Sequence, residues 1–280
     1  MNNLIRDYIY KYKFNSVDDV DNAIREVMQQ ITLLALHKSR FFDEAMFCGG
    51  TALRLFYNLN RMSEDLDFSC IGPKSDFSLV EYFEPIKKEF ARFGLEVEVV
   101  SKNDDDTVKS AFVKDNSLLR LMYPELSEDV KKHVDPRRTI RVKFEIDTNS
   151  PSGAEYEYKH GLYPFPYRVC IMKPSSLYAG KLHAILCRSW TKGRDFFDYV
   201  FYLQNHIEPN YLLLKNSLKQ TGYDYGELNS AKVKSLLIER FKTVDYEAAK
   251  SDCSTFIDDY DAIEWWNQEA FTSITEQYFK

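Results

Sequence analysis

Two short segments in the first quarter of the chain carry residue types that suit phosphoryl-transfer chemistry. Gly49 and Gly50 stand between a short apolar segment and a helical pattern that opens at Thr51, and two glycines there let the backbone approach a ligand closely. The N–H groups at the start of the following helix suit a phosphate. Asp65 and Asp67 are separated by one apolar residue. On a strand, residues i and i+2 share a face, so both carboxylates can bind one or two divalent cations.

A third carboxylate is predicted on a later strand. Residues 139–147 alternate between apolar and charged side chains, which is the pattern of a half-buried strand. Glu145 and Asp147 fall on the charged face, and Glu145 stands between Phe144 and Ile146. Phosphoryl-transfer sites use two metal ions to activate the attacking oxygen and to neutralise the leaving pyrophosphate. A glycine turn, an Asp-x-Asp pair and a later acid favour such a site, with Glu145 preferred over Asp147 as the third acid.

Hydrophobic periodicity predicts the elements that would position these side chains. Ser16 followed by Asp18 and Asp19 is typical of a helix N-cap with acids in the first turn. The acidic triplet at 104–106 is predicted to lie in a solvated loop, because nothing around it fixes the geometry of a metal site. The apolar spacing predicts a helix over residues 17–38, a strand at 46–48, a helix opening at Thr51, a strand over 65–69, a helix around 79–93, and strands over 95–100 and 139–147.

The chain changes character after about residue 170. Residues 149–167 are rich in Pro, Gly and Tyr, and they are predicted to form a loop with one edge strand. The sequence therefore predicts an α+β lobe over 1–170, with a mixed sheet flanked by helices, followed by an all-helical lobe over 171–280. Apolar stripes predict helices in the second lobe at 175–187, 194–203, 209–219, 231–241 and 262–279.

Composition and hydropathy are those of a globular protein. The 280 residues are 44% hydrophobic, 29% charged and 15% aromatic, which argues for a substantial core and against disorder. No apolar run reaches the roughly 20 residues needed to span a bilayer, and residues 1–7 contain no apolar signal-peptide core. The five cysteines are scattered without a CxxC pair, which favours reduced thiols over a zinc site or disulfides. We therefore expect a cytoplasmic protein with no membrane partner.

The net charge of −6 does not exclude a nucleic-acid partner, because its distribution is uneven. Residues 251–280 contain seven acidic side chains and one basic side chain, Lys280. This tail accounts for the whole net charge, so the first 250 residues are neutral overall. Basic clusters occur there at 131–143 and 181–194, although such clusters are more often solvated surface than RNA-binding grooves.

Two pairs of motifs resemble the signatures of a known family. Gly-Gly-Thr-Ala-Leu-Arg-Leu at 49–55 and Arg-Met-Ser-Glu-Asp-Leu-Asp-Phe-Ser at 61–69 are similar to the first signature of the AbiEii/AbiGii toxin family. Lys-Leu-His-Ala-Ile-Leu-Cys-Arg at 181–188 and Lys-Gly-Arg-Asp-Phe-Phe-Asp-Tyr at 192–199 are similar to the second signature. This family consists of nucleotidyltransferases of the DNA polymerase β-like superfamily, and the MenT toxins are relatives. The resemblance covers about residues 40–205.

The resemblance implies a nucleotidyltransferase-type fold and an enzyme that moves nucleotides from an NTP to an acceptor hydroxyl with Mg²⁺ or Mn²⁺. It also implies RNA, tRNA in particular, as the acceptor, and a cognate antitoxin protein as the partner in a toxin–antitoxin or phage-defence pair. Carried over to this sequence, the site residues would be Gly49, Gly50 and Thr51 for phosphate, with Ser63 assisting; Asp65, Asp67 and Glu145 for metal; Lys181 for the triphosphate; and Asp195 to complete the site.

Each part of this interpretation has an alternative. Lys181 could be an ordinary solvated lysine, since the other face of its helix is apolar, and Asp195 could merely cap the helix that starts near Arg194. The rival function within the enzyme class is a small-molecule, antibiotic-type nucleotidyltransferase. The rival outside it is a non-catalytic nucleotide-binding module, which the intact set of acids argues against because a degenerate site would be expected to lose its acids first.

Overall fold

The computed structural model describes residues 3–103 and 106–279, so Asp104 and Asp105 of the acidic triplet lie outside the described residues. The chain forms two compact units that are interleaved in sequence, whereas the predicted lobes meet at a single point of the chain. The first unit contains Met1–Ala52, Glu64–Ser150 and Tyr158–Ile171, and the second contains Leu53–Ser63, Pro151–Glu157 and Met172–Lys280.

A mixed sheet lies mainly in the first unit, and seven strands belong to it within the described residues. The strands are β1 Ala45–Cys48, β2 Leu66–Cys70, β3 Val97–Asn103, β4 Val108–Asp115, β5 Ile140–Asp147, β6 Tyr156–Gly161 and β7 Tyr167–Met172. Their order across the sheet is β3-β4-β5-β2-β1-β7-β6. Because β2 runs parallel to β5 and antiparallel to β1, the predicted α+β class with a mixed sheet is confirmed.

After Met172, every regular element that the structure describes is a helix. None of the helices within the described ranges has the length and apolar character that crossing a bilayer requires. The helices are α1 Asn3–Ile9, α2 Val17–Lys38, α3 Gly49–Tyr57, α4 Phe83–Arg92, α5 Ser117–Met122, α6 Glu128–Lys131, α7 Pro174–Cys187, α8 Gly193–Gln204, α9 Tyr211–Gln220, α10 Ser230–Phe241, α11 Tyr246–Ser254, α12 Asp261–Glu264 and α13 Gln268–Tyr278.

The start of α2 follows directly from the local sequence. Ser16 Oγ accepts a hydrogen bond from the N–H of Asp19 at 3.1 Å, and the Asp19 carboxylate accepts one from the N–H of Ser16 at 2.9 Å. This capping box satisfies N–H groups that the first helical turn leaves without helical partners. The apolar side of α2, beginning at Val20, is buried and packs against α4 and β5. The helix predicted over 17–38 is therefore confirmed at both ends.

The alternation predicted over 139–147 is realised in β5. Ile140, Val142, Phe144 and Ile146 are all fully or almost fully buried. The charged residues between them point to the opposite face of the sheet. Since β2 is the parallel neighbour of β5, the face that carries Glu145 is also the face that carries Asp67.

Several elements are not predicted by the sequence, namely α1, α5, α6, β4, β7 and α11. β4 lies between β3 and β5 and pairs with both over its length, so cross-strand contacts, which a single-strand pattern does not contain, determine its conformation. β7 pairs with β1 through Phe47 and Ile171, although its segment follows a Pro-rich stretch that indicates a loop. α11 is a short helix whose amphipathic pattern is weak.

The helix predicted over 262–279 is interrupted. α12 ends at Glu264 and α13 begins at Gln268. Between them, Asn267 has an extended backbone, and its side-chain oxygen accepts a hydrogen bond from the N–H of Ala270 at 2.8 Å. Asn is a favoured N-cap because this hydrogen bond satisfies a free N–H group of a new helix. The apolar stripe therefore continues across two helices instead of one.

Candidate functional site

The glycine turn that follows β1 lies directly against Asp67. Gly49 is the first residue of α3 and has a positive φ of 76°, a conformation that residues with a Cβ atom rarely adopt. A Cβ atom at this position would lie 2.2 Å from Asp67 Oδ2 and 2.9 Å from Asp67 Cβ. Glycine is therefore required at position 49 both by the backbone conformation and by the carboxylate that packs on it.

Thr51 fixes the chain just before β2. Its side chain is buried, and its hydroxyl donates a hydrogen bond to the backbone carbonyl of Asp65. Gln29 of α2 donates a second hydrogen bond, from Nε2 to the carbonyl of Glu64, at 2.9 Å. These two bonds hold consecutive residues of the segment that leads into β2. The phosphate-binding role of Thr51 stays a prediction, and so does that of Gly50, the second residue of α3.

Asp67 and Glu145 lie side by side on neighbouring parallel strands. The register of β2 against β5 pairs Asp67 with Glu145 and pairs Ser69 with Asp147. Adjacent strands are about 4.8 Å apart, and paired residues point to the same face. Asp147 is two residues farther along β5, and its Oδ1 accepts a hydrogen bond from the N–H of Asn149 at 2.9 Å. Glu145 is thus the residue of β5 beside Asp67, and the choice between Glu145 and Asp147 as the third acid stays a prediction.

These acids suit a divalent cation whose coordination is completed by substrate. Within residues 3–103 and 106–279, no three His, Cys, Asp or Glu side chains converge closely enough to hold a metal ion by themselves, and Lys143 Nζ lies 2.6 Å from Glu145 Oε1. Mg²⁺ is usually bound through one or two protein carboxylates, while water and substrate phosphates supply the other oxygens. Asp67 and Glu145, with Asp65 immediately before β2, provide ligands of this type.

The pKa of the Cys48 thiol is affected by the carboxylates on this face of the sheet. Cys48 is the partner of Asp67 across β1 and β2. Burial raises the pKa of Cys48 well above its ordinary value, and the carboxylates of Asp67 and Asp147 raise it further because negative charge disfavours a thiolate. Cys48 is therefore a neutral thiol.

In the second unit, Lys181 and Asp195 belong to a buried ion-pair cluster. Lys181 Nζ lies 2.7 Å from Asp195 Oδ1 and 2.8 Å from Asp198 Oδ2. The side chain of Lys181 is only 15% exposed, so Lys181 is not an ordinary solvated lysine. Asp195 lies in the first turn of α8, yet its carboxylate accepts hydrogen bonds from Lys181 and Arg188. The role of Asp195 is therefore not that of a simple helix cap.

Two arginines complete the cluster. Arg61 donates from Nε and Nη2 to the two carboxylate oxygens of Asp198 at 2.6 and 2.7 Å, which is the bidentate geometry of a strong charge-assisted pair. Arg188 Nη1 lies 2.7 Å from Asp195 Oδ2. Each buried carboxylate thus has two cationic partners, as buried charges require.

Lys181 and Asp198 stay ionised near neutral pH. Burial favours the neutral form of Lys181, but the charges of Asp195 and Asp198 outweigh this effect and raise its pKa. Burial likewise favours the protonated form of Asp198, yet Arg61 and Lys181 hold the pKa of Asp198 below its ordinary value. Lys181 and Asp198 therefore carry fixed charges and do not titrate in the physiological range.

Two residues that hold the cluster of the second unit together, Arg61 and Asp198, receive no role in the sequence prediction. Asp198 follows Asp195 by three residues, a spacing that places both on one side of a helix, so this residue is discoverable from the sequence. Arg61 is not discoverable in this way, because its partner is 137 residues away.

The predicted site residues are distributed over the two units. The first unit contains Gly49, Gly50, Thr51, Asp65, Asp67 and Glu145, and the second contains Ser63, Lys181 and Asp195.

Known proteins share this sequence pattern and this fold. The family model "Nucleotidyl transferase AbiEii toxin, Type IV TA system" matches residues 31–272, a range that includes both sets of site residues. No curated protein matches the chain. The solved structure of JHP933 from Helicobacter pylori is similar with a TM-score of 0.53 at 19% identity, covering 92% of this chain and 91% of that chain. MenT4, a nucleotidyltransferase toxin from Mycobacterium tuberculosis, is similar with a TM-score of 0.53 at 17% identity, covering 100% and 88%. At these identities the two structures establish a common fold.

Proposed function

Since this chain belongs to the AbiEii nucleotidyltransferase toxin family, we propose that it transfers a nucleotidyl group from an NTP to a hydroxyl group of RNA in a reaction that depends on Mg²⁺ or Mn²⁺. The proposed RNA is tRNA, the acceptor class that the motif resemblance implies.

One arrangement of residues carries the proposal. Asp67 has Glu145 beside it on β5 and has Gly49 packed against its own carboxylate. Lys143 lies beside Glu145, and the repulsion that remains between two neighbouring carboxylates favours a bound cation. The turn at the start of α3 touches Asp67, so groups suited to phosphate adjoin a proposed metal ligand.

The proposed reaction joins the acceptor oxygen to the α-phosphorus of the NTP and breaks the bond to pyrophosphate. Divalent cations, when bound, supply charge neutralisation for the attacking oxygen and the leaving pyrophosphate. Asp65, Asp67 and Glu145 are the proposed ligands, and Glu145 is also the proposed general base for the acceptor hydroxyl. The N–H groups at the start of α3 are proposed to bind an NTP phosphate, and Thr51 keeps Asp65 in position.

The cluster of the second unit supports a polyanionic substrate. Arg61, Lys181 and Arg188 bring three positive charges to only two carboxylates, those of Asp195 and Asp198. An excess of fixed positive charge attracts phosphate groups. We assign Lys181 to the triphosphate of the NTP and Asp195 to the orientation of Lys181, with Ser63 as an additional phosphate ligand.

The family description names a type IV toxin–antitoxin system, which implies an antitoxin protein as partner. Modification of tRNA would stop translation, so the proposed toxic effect is growth arrest, and the cytoplasm is the proposed location. Expression of the wild-type chain alone should therefore arrest bacterial growth, whereas the Asp67→Asn variant should not.

The direct test incubates the purified protein with each labelled NTP, total RNA, and either Mg²⁺ or EDTA. We expect the wild-type protein to label RNA with at least one NTP in Mg²⁺, and to label none in EDTA. A parallel reaction offers an aminoglycoside as the acceptor. Labelling of the aminoglycoside without labelling of RNA would identify a small-molecule nucleotidyltransferase and contradict the proposed acceptor. An absence of labelling with every NTP and both acceptors would contradict the proposed reaction as a whole.

A further inference from the structure

The loop between α7 and α8 presents a tryptophan to solvent. Trp190 is 64% exposed, although tryptophan is among the side chains that gain most free energy from burial. The other two tryptophans of the chain, Trp265 and Trp266, are 37% and 1% exposed. The exposed indole of Trp190 therefore offers a stacking surface to a binding partner.

The loop that carries Trp190 is held in place. Arg240 of α10 donates hydrogen bonds to the carbonyl groups of Ile185 and Arg188 at 2.9 and 3.0 Å. The guanidinium of Arg188 lies over the Trp190 ring, 5.1 Å from its centroid, while it also pairs with Asp195. A cation over an indole ring is an attractive contact. Arg188 therefore contacts both Trp190 and Asp195, while the Trp190 side chain remains largely accessible.

Lys192, two residues after Trp190, is a partly buried cation. Within the part of the chain that the structure describes, the ammonium group of Lys192 has no hydrogen bond and no ion pair. The charged groups of Lys181, Arg61 and Arg188 all have such partners. Burial lowers the pKa of Lys192, and the positive charge of Arg194 lowers it further; Asp195 opposes this shift, and Lys181 and Arg188 add smaller lowering effects. An anion bound beside Lys192 would stabilise its charged form and raise its pKa.

We infer that Trp190 and Lys192 form a nucleotide-binding subsite in which the base stacks on the exposed part of the indole and a phosphate binds the Lys192 ammonium. An aromatic ring offers a stacking surface to any base, and a lysine offers a point charge suited to a phosphate. The pairing of these two groups two residues apart fits a nucleotide, because a nucleotide carries a base and a phosphate together.

This inference rests on the proposed nucleotidyl transfer, and it leaves two sources for the nucleotide. One source is the NTP, and the other is the terminal nucleotide of the RNA acceptor. Both have the same chemistry, so separate binding measurements are needed to distinguish them.

The test measures binding by variants of the full-length protein to two probes. Calorimetry follows ATP and GTP in Mg²⁺, and fluorescence anisotropy follows a 5′-labelled single-stranded RNA of twelve nucleotides with a free 3′ hydroxyl. Trp190→Ala should weaken binding of one probe by on the order of ten-fold, since base–aromatic stacking has about this value. Trp190→Tyr should restore binding, whereas Trp190→Leu should not. Lys192→Gln should weaken binding of the same probe, and Lys192→Arg should restore it.

The identity of the affected probe assigns the source, and either assignment supports the subsite. Lys219→Ala, at an exposed lysine of α9, and Tyr223→Ala, at a 43% exposed tyrosine, serve as matched controls that should bind as the wild-type protein does. If the wild-type protein binds a probe and both Trp190→Ala and Lys192→Gln bind it equally well, the subsite is overturned while the proposed function stands. If these variants instead lose binding to an antitoxin protein alone, the loop is a protein interface and the subsite is again overturned. If the wild-type protein binds neither probe and labels no RNA, the proposed function fails together with the subsite.

Discussion

Gly49 and Asp67 are in such close contact that a Cβ atom on residue 49 would lie 2.2 Å from Asp67 Oδ2. The position of the turn after β1 and the position of the Asp67 side chain on β2 therefore depend on each other. A side chain at position 49 must displace either the turn or the carboxylate, and either movement would disturb the proposed metal ligand.

The first prediction follows from this contact. Gly49→Ala should lower nucleotidyl transfer by about 100-fold, because displacements of about 1 Å at a catalytic group have effects of this size. It should also lower the free energy of unfolding by at least about 1–2 kcal/mol, because alanine is strained at positive φ. Transfer to RNA and urea-induced unfolding measure the two effects.

Gly94→Ala is the matched control. Gly94 also has a positive φ, of 72°, but a Cβ atom there would meet no atom within 4 Å. This variant should lose a similar free energy of unfolding from backbone strain and keep wild-type activity. Equal activities of the two alanine variants would contradict a role for the contact with Asp67.

The second prediction concerns the Asp-x-Asp pair. Asp65→Asn and Asp67→Asn should each lower transfer by about 1,000-fold, since a metal ion contributes several kcal/mol of charge stabilisation to the transition state. The free energy of unfolding should remain constant or rise, because one charge of a repelling pair is removed. Calorimetric titration with Mn²⁺ in the absence of NTP should show weaker binding. Asp129→Asn, at a side chain that is 92% exposed, should leave all three measurements unchanged.

The third prediction separates two acids of β5. Glu145→Gln should reduce transfer far more than Asp147→Asn, because Glu145 is the residue paired with Asp67 whereas Asp147 is paired with Ser69. The measurement is the transfer rate at saturating NTP over a range of Mg²⁺ concentrations. A larger effect of Asp147→Asn would move the role of third acid to Asp147.

The sequence predicts the elements whose conformation depends on local residues. The capping box at Ser16 and the alternation along β5 are both contained in short segments, and the acids of the Asp-x-Asp pair are identified by their spacing on a strand. The family signatures also contain Lys181 and Asp195. These features required no knowledge of contacts between distant parts of the chain.

The remaining features depend on contacts that the sequence does not contain. β4 acquires its conformation from the strands on either side of it. The bidentate pair of Arg61 with Asp198 joins residues that have no common pattern. The exposure of Trp190 is likewise not predictable from the sequence, since tryptophan side chains are highly buried on average. Long-range packing determines all three.

The fourth prediction concerns the buried pair of Arg61 with Asp198, whose side chains are 3% and 0% exposed. Arg61→Ala should lower the free energy of unfolding by about 3–5 kcal/mol, because it leaves a buried carboxylate without its main partner. Urea-induced unfolding is the measurement. Lys132→Ala breaks an ion pair whose side chains are 67% and 92% exposed, and this control should cost less than about 1 kcal/mol. Similar losses of unfolding free energy in the two variants would show that the buried pair contributes no more to stability than the exposed pair.

The fifth prediction uses salt to separate the roles of Trp190 and Lys192, and it applies when the nucleotide in the subsite belongs to the RNA. Each phosphate contact releases a counterion, so the logarithm of RNA affinity should fall linearly with the logarithm of salt concentration. Lys192→Gln removes one proposed phosphate contact and should lower the magnitude of this slope by about 0.7. Trp190→Ala removes stacking, which releases no counterion, and should weaken RNA binding at every salt concentration with the slope unchanged. A wild-type RNA affinity that does not vary with salt would contradict RNA as the acceptor, and a change of slope in Trp190→Ala equal to that in Lys192→Gln would contradict the separate roles of the two side chains.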